Sequence, residues 1–327
     1  MEYPVIISGG GIIGCYIHLR LKQAGISSQI IEKGLPASGS VANIRTISLN
    51  PSTYKLLLEI GIELESTSVE TIKVLDGGGS GKIQFKAKEV NEEALSHVAM
   101  FNDLLEQIQD KASNAIQFES EITSISKLDT LTKVSLNNNC ELQTPLLIGS
   151  DGRNSPVAQL SNFISKMNDY KQTAFTFLVK EGLDNNNSTA SQIFSDKGIF
   201  ALMPIKHLKE NMFSVVWSVP NELLKDTNKD NFVSKNIDAM TTKINSKITL
   251  ESDIISFPLS NHHLDSYMKE GIVVVGDAAH SIHPLAGQGI NLGFADADIL
   301  CEEIIEAFKK GYSIGSHRVL KKYEIRR

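Results

Sequence analysis

The sequence predicts an α/β protein in which a parallel sheet is joined to an inserted, mainly antiparallel β-sheet. The parallel sheet is predicted by an apolar strand at residues 5–8, a glycine turn with a helical segment, and a second strand at residues 29–32. The insertion is predicted because residues 171–259 consist largely of alternating β segments. We therefore expect residues 1–170 and 260–327 to form one discontinuous domain, and residues 171–259 to form a second, β-rich domain.

The first glycine turn reads Gly9-x-Gly11-x-x-Gly14 and precedes a helix predicted over residues 13–24. The first glycine permits the tight turn, the second allows the backbone to approach a pyrophosphate, and the third allows close packing of helix and strand. Glu32 follows at the end of the next strand, where an acid accepts hydrogen bonds from a ribose 2′-hydroxyl. This order predicts a Rossmann-like dinucleotide site, and the acid favours FAD or NAD over NADP.

The most informative stretch of the chain is GIVVVGDAAHSIHPLAGQGINLG at residues 271–293. A buried-type strand leads into Gly276-Asp277, and a helix is predicted to begin at residues 287–289 after a loop that contains Pro284. The free amides at the start of this helix would stabilise a phosphate or an anionic ring edge. We therefore expect one dinucleotide to be held by both ends of the chain.

Three further segments have simpler interpretations. A polar turn, Ser150-Asp151-Gly152, follows an apolar strand and could be only a capped connection to a helix. The glycine-rich residues 76–82 lack the Ser or Thr of a phosphate loop, so they predict a turn between two strands. His280 and His283 have no convincing third ligand, and we therefore predict no metal site.

Composition restricts the function further. A net charge of −6 gives no basic surface for nucleic acid. The separated Cys15, Cys140 and Cys301 fit neither a disulfide framework nor a zinc site, so we expect a reducing, cytoplasmic location. No stretch reaches the roughly 18 apolar residues of a membrane-spanning helix. The basic residues after position 308 leave open a weak peripheral contact with anionic lipid.

The three motifs together resemble the flavin-dependent aromatic monooxygenases of the para-hydroxybenzoate hydroxylase fold. Within that family, the stretch from Gly276 to Gly293 is most similar to the ubiquinone-biosynthesis hydroxylases. Arg45-Thr46 and the segments at residues 201–204 and 216–218 fit as well, so the resemblance covers essentially the whole chain. It implies an FAD enzyme that uses transiently bound NAD(P)H and O2 to hydroxylate the aromatic ring of a prenylated ubiquinone precursor.

The resemblance also implies roles for individual residues. It places the ADP half of FAD at the N-terminal glycines and acid, Arg45 near the pyrophosphate or the nicotinamide path, and Asp277 at the ribityl or pyrophosphate region. Pro284 and His280 are candidates for bordering the flavin ring, and no general base is assigned. The cofactor-binding residues implied are Gly9, Gly11, Gly14, Glu32, Arg45, Asp151, Gly276, Asp277, Pro284, Gly287, Gln288, Gly289, Ile290 and Asn291.

Two alternative functions stay open at this point. One is a non-catalytic flavoprotein or an assembly subunit in contact with a ubiquinone-biosynthesis complex, and the other is a flavin dehydrogenase or reductase that acts on another lipid. Relatives continue into further helices beyond the position of Arg327, so we expect these helices to be missing here. Exposure of the surface beneath them would promote association or lipid contact and would admit water to the active site. This expectation leaves the activity of the chain open.

Overall fold

A computed structural model describes residues 4–37, 44–181, 188–207, 210–244, 247–283 and 287–327. The helices in this part of the chain are α1 (Ile12–Gln23), α2 (Pro51–Glu59), α3 (Phe101–Ala112), α4 (Pro156–Leu160), α5 (Lys229–Thr241), α6 (Gln288–Lys309) and α7 (His317–Arg326). The strands are β1 (Val5–Ser8), β2 (Ser28–Ile31), β3 (Thr46–Leu49), β4 (Thr67–Val69), β5 (Thr71–Asp76), β6 (Lys82–Lys86), β7 (Ser96–Met100), β8 (Ile116–Gln117), β9 (Ile122–Leu128), β10 (Leu131–Leu136), β11 (Glu141–Thr144), β12 (Leu147–Gly149), β13 (Ser165–Glu181), β14 (Thr189–Ser195), β15 (Gly198–His207), β16 (Glu210–Pro220), β17 (Ile248–Leu250), β18 (Ile255–Leu264), β19 (Met268–Lys269), β20 (Ile272–Val274) and β21 (His280–Ser281).

Local sequence signals explain several of these elements. Asn50 precedes Pro51, and its side-chain oxygen accepts the Thr53 N–H at 2.8 Å, so a capping residue and an N-terminal proline begin α2. The helical spacing of apolar residues at 51–60 and 102–112 agrees with α2 and α3. The glycine-rich stretch at residues 76–82 connects the antiparallel strands β5 and β6, as its composition predicts.

The larger core surrounds a six-stranded sheet with the order β19-β20-β12-β1-β2-β8. Its strands are parallel except for β19, which pairs antiparallel with β20 at one edge. β1, β12 and β20 are buried throughout, which explains their continuous apolar sequences. The predicted α/β class with a Rossmann-like parallel sheet is therefore confirmed.

A second sheet has nine strands in the order β21-β18-β13-β16-β15-β14-β5-β6, with β17 also paired to β13. All its pairs are antiparallel except that between β14 and β5. A separate core of buried side chains, including Phe175, Phe200, Trp217 and Phe232, packs on it. The sheet also takes in β5 and β6, which precede residue 171, so the division of the chain into domains at residues 170 and 260 stays a proposal.

The parallel sheet brings the three sequence motifs together. Ser8 lies beside Gly149, and Gly149 lies beside Val274, at the carboxyl ends of β1, β12 and β20. Parallel strands place the turns that follow them at one edge of the sheet, which is where such folds bind ligands. The turns that begin at Gly9, Ser150 and Val275 therefore meet at this edge.

No helix in the described part of the chain is long and apolar enough to cross a membrane.

Candidate functional site

A cavity of about 810 Å³ lies where the carboxyl edge of the parallel sheet meets the nine-stranded sheet. Its volume is within the range of pockets that hold drug-sized ligands and cofactors. Predicted cofactor-binding residues supply much of its wall, namely Gly9, Gly11, Glu32, Arg45, Asp151, Asp277, Gly287, Gly289 and Ile290.

The other predicted residues support this wall or lie outside the described residues. A Cβ on Gly14 would lie 1.9 Å from the Gly9 carbonyl oxygen, so this glycine allows α1 to pack against the turn. The Asn291 side chain accepts the Asn50 N–H at 2.9 Å and donates to the Ser48 carbonyl at 2.8 Å, which fixes the start of α6. Gly276 and Gln288 are described but do not line the cavity, and Pro284 lies outside the described residues.

The N-terminal glycine turn leaves room for a ligand. Gly9 has a φ of +100°, and a Cβ there would lie 2.6 Å from the Ser150 carbonyl oxygen, so both its backbone conformation and its surroundings require glycine. Gly11 differs, because no atom lies within 4 Å of the position of its Cβ. Gly11 therefore faces open space in the cavity wall, as the second glycine of a pyrophosphate-binding turn should.

Glu32 holds the loops beside this turn. Its Oε2 accepts the Gly10 N–H at 2.6 Å, and its Oε1 accepts the Gly34 N–H at 2.6 Å. A carboxylate oxygen can accept more than one hydrogen bond. Glu32 lines the cavity, so it can also accept bonds from the ribose hydroxyls of a dinucleotide.

Asp151 lines the cavity and has one carboxylate oxygen without a hydrogen-bond partner in the described part of the chain. Its Oδ2 accepts the Ser8 hydroxyl at 2.9 Å and the Val157 N–H at 3.2 Å. Burial raises the pKa of this carboxyl group, and hydrogen bonds from Ser155, Ser8 and Val157 oppose that shift. Its Oδ1 is buried and has no hydrogen-bond partner among the described residues. Such an orphaned oxygen is costly without a partner.

Two residues of opposite charge, Arg45 and Asp277, line the cavity. Asp277 belongs to a single 3-10 turn, Gly276–Ala278, and is exposed. The guanidinium of Arg45 lies 4.0 Å from the centroid of the Phe101 ring. Desolvation lowers the Arg45 pKa, and Asp277 is near enough to oppose that shift. Arg45 and Asp277 thus provide one cation for a phosphate and one acceptor for a hydroxyl.

The start of α6 completes the polar side of the site. Gly287 precedes this 22-residue helix in the left-handed conformation, and no atom lies within 4 Å of the Cβ position of Gly289. Both glycines line the cavity. The positive end of the helix dipole therefore faces the cavity and favours an anionic group there.

The nine-stranded sheet supplies an apolar side. Ile255, Thr176, Val216 and Ala201 form a row across β18, β13, β16 and β15 in register, and all four line the cavity. Cross-strand neighbours of this kind present their side chains on one face of a sheet. Thr46 adds a hydroxyl to the wall, and its Oγ1 lies 2.7 Å from Oγ of the buried Ser214.

The two histidines of the C-terminal motif have other partners. Nε2 of His280 lies 2.7 Å from Oδ2 of the buried Asp296, and His280 does not line the cavity. Nε2 of His283 lies 2.8 Å from Oε1 of the Gln172 side-chain amide. Within the described ranges, no group of three or more His, Cys, Asp or Glu residues could hold a metal ion.

Sequence reasoning missed several polar residues at the site. Arg153 lines the cavity, and its Nη2 donates to the Ser260 carbonyl at 2.6 Å, which ties the turn after β12 to β18. Ser260 and Ser281 line the cavity as well. The signal that could have indicated Arg153 is its position two residues after Asp151, whereas Ser260 depends on a strand pairing that no local pattern reveals.

Comparisons with known proteins agree with this geometry. The FAD binding domain family matches residues 2–327. The chain is 28% identical over 346 residues to 3-demethoxyubiquinol 3-hydroxylase of Escherichia coli strain K12, a match that covers 99% of this chain and 85% of that protein. It is 26% identical over 381 residues to the mitochondrial ubiquinone biosynthesis monooxygenase COQ6 of Caenorhabditis elegans, covering 98% of this chain and 84% of that protein.

Two solved structures show the same fold. PqsL of P. aeruginosa in complex with 2-aminobenzoylacetate has a TM-score of 0.82 at 19% identity, covering 100% of this chain and 92% of that one. The p-nitrophenol 4-monooxygenase PnpA of Pseudomonas putida has a TM-score of 0.77 at 16% identity, covering 99% and 85%. The family match confirms the predicted cofactor, FAD, and the open Gly11, the orphaned Asp151 oxygen and the start of α6 fit it. The chain belongs to the FAD binding domain family.

Proposed function

We propose that the protein is an FAD-dependent monooxygenase that hydroxylates the aromatic ring of a prenylated phenol, a precursor of ubiquinone, with NAD(P)H and O2. The observation that carries the proposal is the composition of the cavity, in which a polar wall from the parallel sheet faces an apolar wall from the antiparallel sheet. The names of the relatives, a ubiquinol hydroxylase and a ubiquinone biosynthesis monooxygenase, support this substrate class.

The polar wall would hold the cofactor. Glu32 and Asp151 would accept hydrogen bonds from cofactor hydroxyls, and Gly11 would let the backbone approach the pyrophosphate. Arg45 and the amides at the start of α6 would compensate negative charge on the phosphates and on the flavin ring. Bound FAD would supply hydride acceptance from NAD(P)H and the activation of O2.

The apolar wall would hold the aromatic ring and exclude water from it. The row from Ile255 to Ala201 offers no charged group, and Met203 extends the apolar surface. Ile255, Phe257 and Ile282 line the cavity and are 45%, 41% and 42% exposed, so they offer accessible apolar surface to a ligand. A prenyl tail would gain free energy by covering these side chains, at about 25 cal/mol per Å² of apolar surface.

The sequence contains one dinucleotide fingerprint, so we propose that NAD(P)H docks transiently at the same cavity. The polar wall is taken up by FAD in this arrangement, which leaves no second pyrophosphate turn for lasting binding. We also propose a reducing, cytoplasmic location. Peripheral contact with a membrane, or with a complex of ubiquinone biosynthesis, would bring the accessible apolar side chains of the cavity close to a lipid-soluble substrate.

The test is to load purified protein with FAD and mix it with NAD(P)H and ortho-prenylphenol, first without and then with isotopically labelled O2. We expect NAD(P)H oxidation to accelerate with the phenol, and the product mass to increase by one labelled oxygen atom. Oxidation without oxygen incorporation would favour the dehydrogenase or reductase alternative. Absence of any FAD-dependent NAD(P)H oxidation would favour a non-catalytic subunit.

A further inference from the structure

The turn after β12 contacts both walls of the cavity. At its start, Oδ2 of Asp151 accepts the hydroxyl of Ser8, which ends β1 of the six-stranded sheet. At its end, Nη2 of Arg153 donates to the backbone carbonyl of Ser260 at 2.6 Å and also to the Ser260 hydroxyl. Ser260 belongs to β18, a strand of the apolar wall. One short turn therefore joins the polar wall to the apolar wall.

Gly152 allows this turn to be sharp. Its φ is +81°, a left-handed conformation that favours glycine, and it separates Asp151 from Arg153. No atom lies within 4 Å of the position of a Cβ on Gly152, so the backbone conformation and not crowding requires glycine. Each neighbour can thus bond to a different sheet.

A second hydrogen bond joins the walls at another point. Oγ1 of Thr46 lies 2.7 Å from Oγ of Ser214. Thr46 lines the cavity and directly follows Arg45, whereas Ser214 is fully buried in β16 and does not line the cavity. A ligand in the cavity would therefore be affected by Ser214 through Thr46.

The two bonds reach the apolar wall on opposite sides of its centre. Ser260 pairs with Asp169 of β13, and Ser214 pairs with Leu178 of the same strand. Thr176, whose row forms the apolar wall, lies between these two positions on β13. Bonds on both sides of this row restrict the tilt of the apolar wall as well as its distance from the polar wall.

The proposed reaction depends on this distance. A misplacement of about 1 Å can lower the rate of a reaction by about 100-fold. In the productive reaction, NAD(P)H supplies two electrons as hydride, one atom of O2 replaces a ring hydrogen as a hydroxyl group, and the other atom leaves as water after one proton is taken up. If the ring is misplaced, the same two electrons reduce O2 to H2O2 with two protons, one from the hydride donor and one from solvent. The substrate then stays unchanged.

We propose that Arg153 and Ser214 are positioning residues that direct the electrons of NAD(P)H to hydroxylated product and away from H2O2. The proposal rests on the proposed function. Arg153 acts through Ser260, and Ser214 acts through Thr46. Each bond holds the wall that carries the aromatic ring against the wall that carries the cofactor, so neither residue has to contact the reacting atoms.

The first test measures the tie between the walls without turnover. Hydrogen–deuterium exchange of the FAD-loaded full chain reports local opening of each segment. Arg153→Met keeps a long side chain but has no N–H donor, so we expect faster exchange at residues 255–260. Arg153→Lys keeps a charged donor and should exchange more slowly than Arg153→Met. Exchange in β2 should match the wild type in both variants, which separates a local effect from a general loss of stability.

The second test measures where the electrons go. Each variant is saturated with FAD and mixed with NAD(P)H, O2 and ortho-prenylphenol, and hydroxylated product and H2O2 are measured per NAD(P)H oxidised. We expect the rate of product formation to fall by about 10- to 100-fold in Arg153→Met, with H2O2 accounting for the lost product. Ser214→Ala should shift the ratio in the same direction, and Arg153→Lys should restore part of the product.

Matched controls are available for both residues. Asn154→Ala changes the exposed residue next to Arg153, which does not line the cavity. Ser218→Ala changes another buried serine of β16, also outside the cavity wall. Both controls should keep the wild-type exchange and the wild-type ratio of product to H2O2.

The outcomes separate the positioning role from the proposed function. Wild-type exchange at residues 255–260 in Arg153→Met would overturn the tie between the walls. Faster exchange with an unchanged ratio of product to H2O2, in Arg153→Met and Ser214→Ala alike, would overturn the role of the tie in the reaction. A wild type that forms no hydroxylated product would overturn the proposed function, whereas the exchange of β18 would still decide whether Arg153 holds the apolar wall.

Discussion

Glu32 and Gly10 are joined by a hydrogen bond of 2.6 Å between the glycine N–H and the carboxylate Oε2. The bond crosses from the first glycine turn to the end of β2, so one side chain both orders the turn and lines the cavity. Both carboxylate oxygens of Glu32 therefore already accept hydrogen bonds before a ribose binds. Glu32 already fixes the backbone that would contact the pyrophosphate, and loss of the acid should affect the cofactor by both routes.

Glu32→Ala should weaken FAD binding by about ten- to a hundred-fold, because hydrogen bonds to charged groups typically contribute on the order of 1.5 to 3 kcal/mol. Glu32→Gln should lose less, since its amide oxygen still accepts one bond. Quenching of FAD fluorescence during titration of the apoprotein measures both. Glu63→Gln, which changes an exposed acid outside the cavity wall, is the control. Equal affinities for the wild type and Glu32→Ala would contradict the assignment.

Gly11 and Gly14 should respond differently to the same change. A Cβ on Gly14 would lie 1.9 Å from the Gly9 carbonyl oxygen and 2.7 Å from Ser150 Oγ, so Gly14→Ala should lower the melting temperature strongly. A Cβ on Gly11 meets no atom within 4 Å, so Gly11→Ala should fold normally and bind FAD more weakly. Thermal unfolding of both apoproteins, followed by FAD titration, separates the effects. Normal FAD affinity in Gly11→Ala would show that the pyrophosphate does not approach this glycine.

The sequence predicted the parallel sheet and the three turns because each depends on a local signal. The turn at Gly9, for example, needs glycine for its own backbone conformation, whatever the rest of the chain does. Contacts between distant segments gave no such signal. Asp296 lies within α6 and reads as an ordinary polar helix residue, yet it contacts Gly276 and His280. β5 joins the nine-stranded sheet through its parallel pairing with β14. The alternation of apolar and polar residues within a strand does not reveal which strand it pairs with.

Acid should destabilise the protein partly through His18. Burial lowers the pKa of His18 to about 4, and the nearby Lys22 contributes to the decrease. The unfolded chain, with an ordinary pKa of about 6.5, binds this proton between pH 6.5 and 4 while the folded chain does not, so stability falls as the pH decreases through that window. His18→Gln should flatten this part of the stability curve in urea titrations. His317→Gln, at an exposed histidine, should leave the curve unchanged.

Asp296 should be the most sensitive acid of α6. It is fully buried, its Oδ2 accepts the Gly276 N–H at 2.8 Å and lies 2.7 Å from His280 Nε2, and its Oδ1 lies 2.5 Å from Arg327 Nε. Removing one partner of a buried ion pair typically costs about 3 to 5 kcal/mol, so Asp296→Ala should lower the melting temperature by several degrees.

Asp296→Ala should also weaken FAD binding. Asp296 holds the backbone of Gly276, and the next residue, Asp277, lines the cavity. Glu306→Gln is the matched control on the same helix: Glu306 pairs with Lys310 at the surface, and exposed pairs contribute about 1 kcal/mol or less. Differential scanning fluorimetry and FAD titration of both variants provide the comparison. If the two variants lost equal stability and bound FAD equally well, Asp296 would have no special role in placing the turn at Asp277.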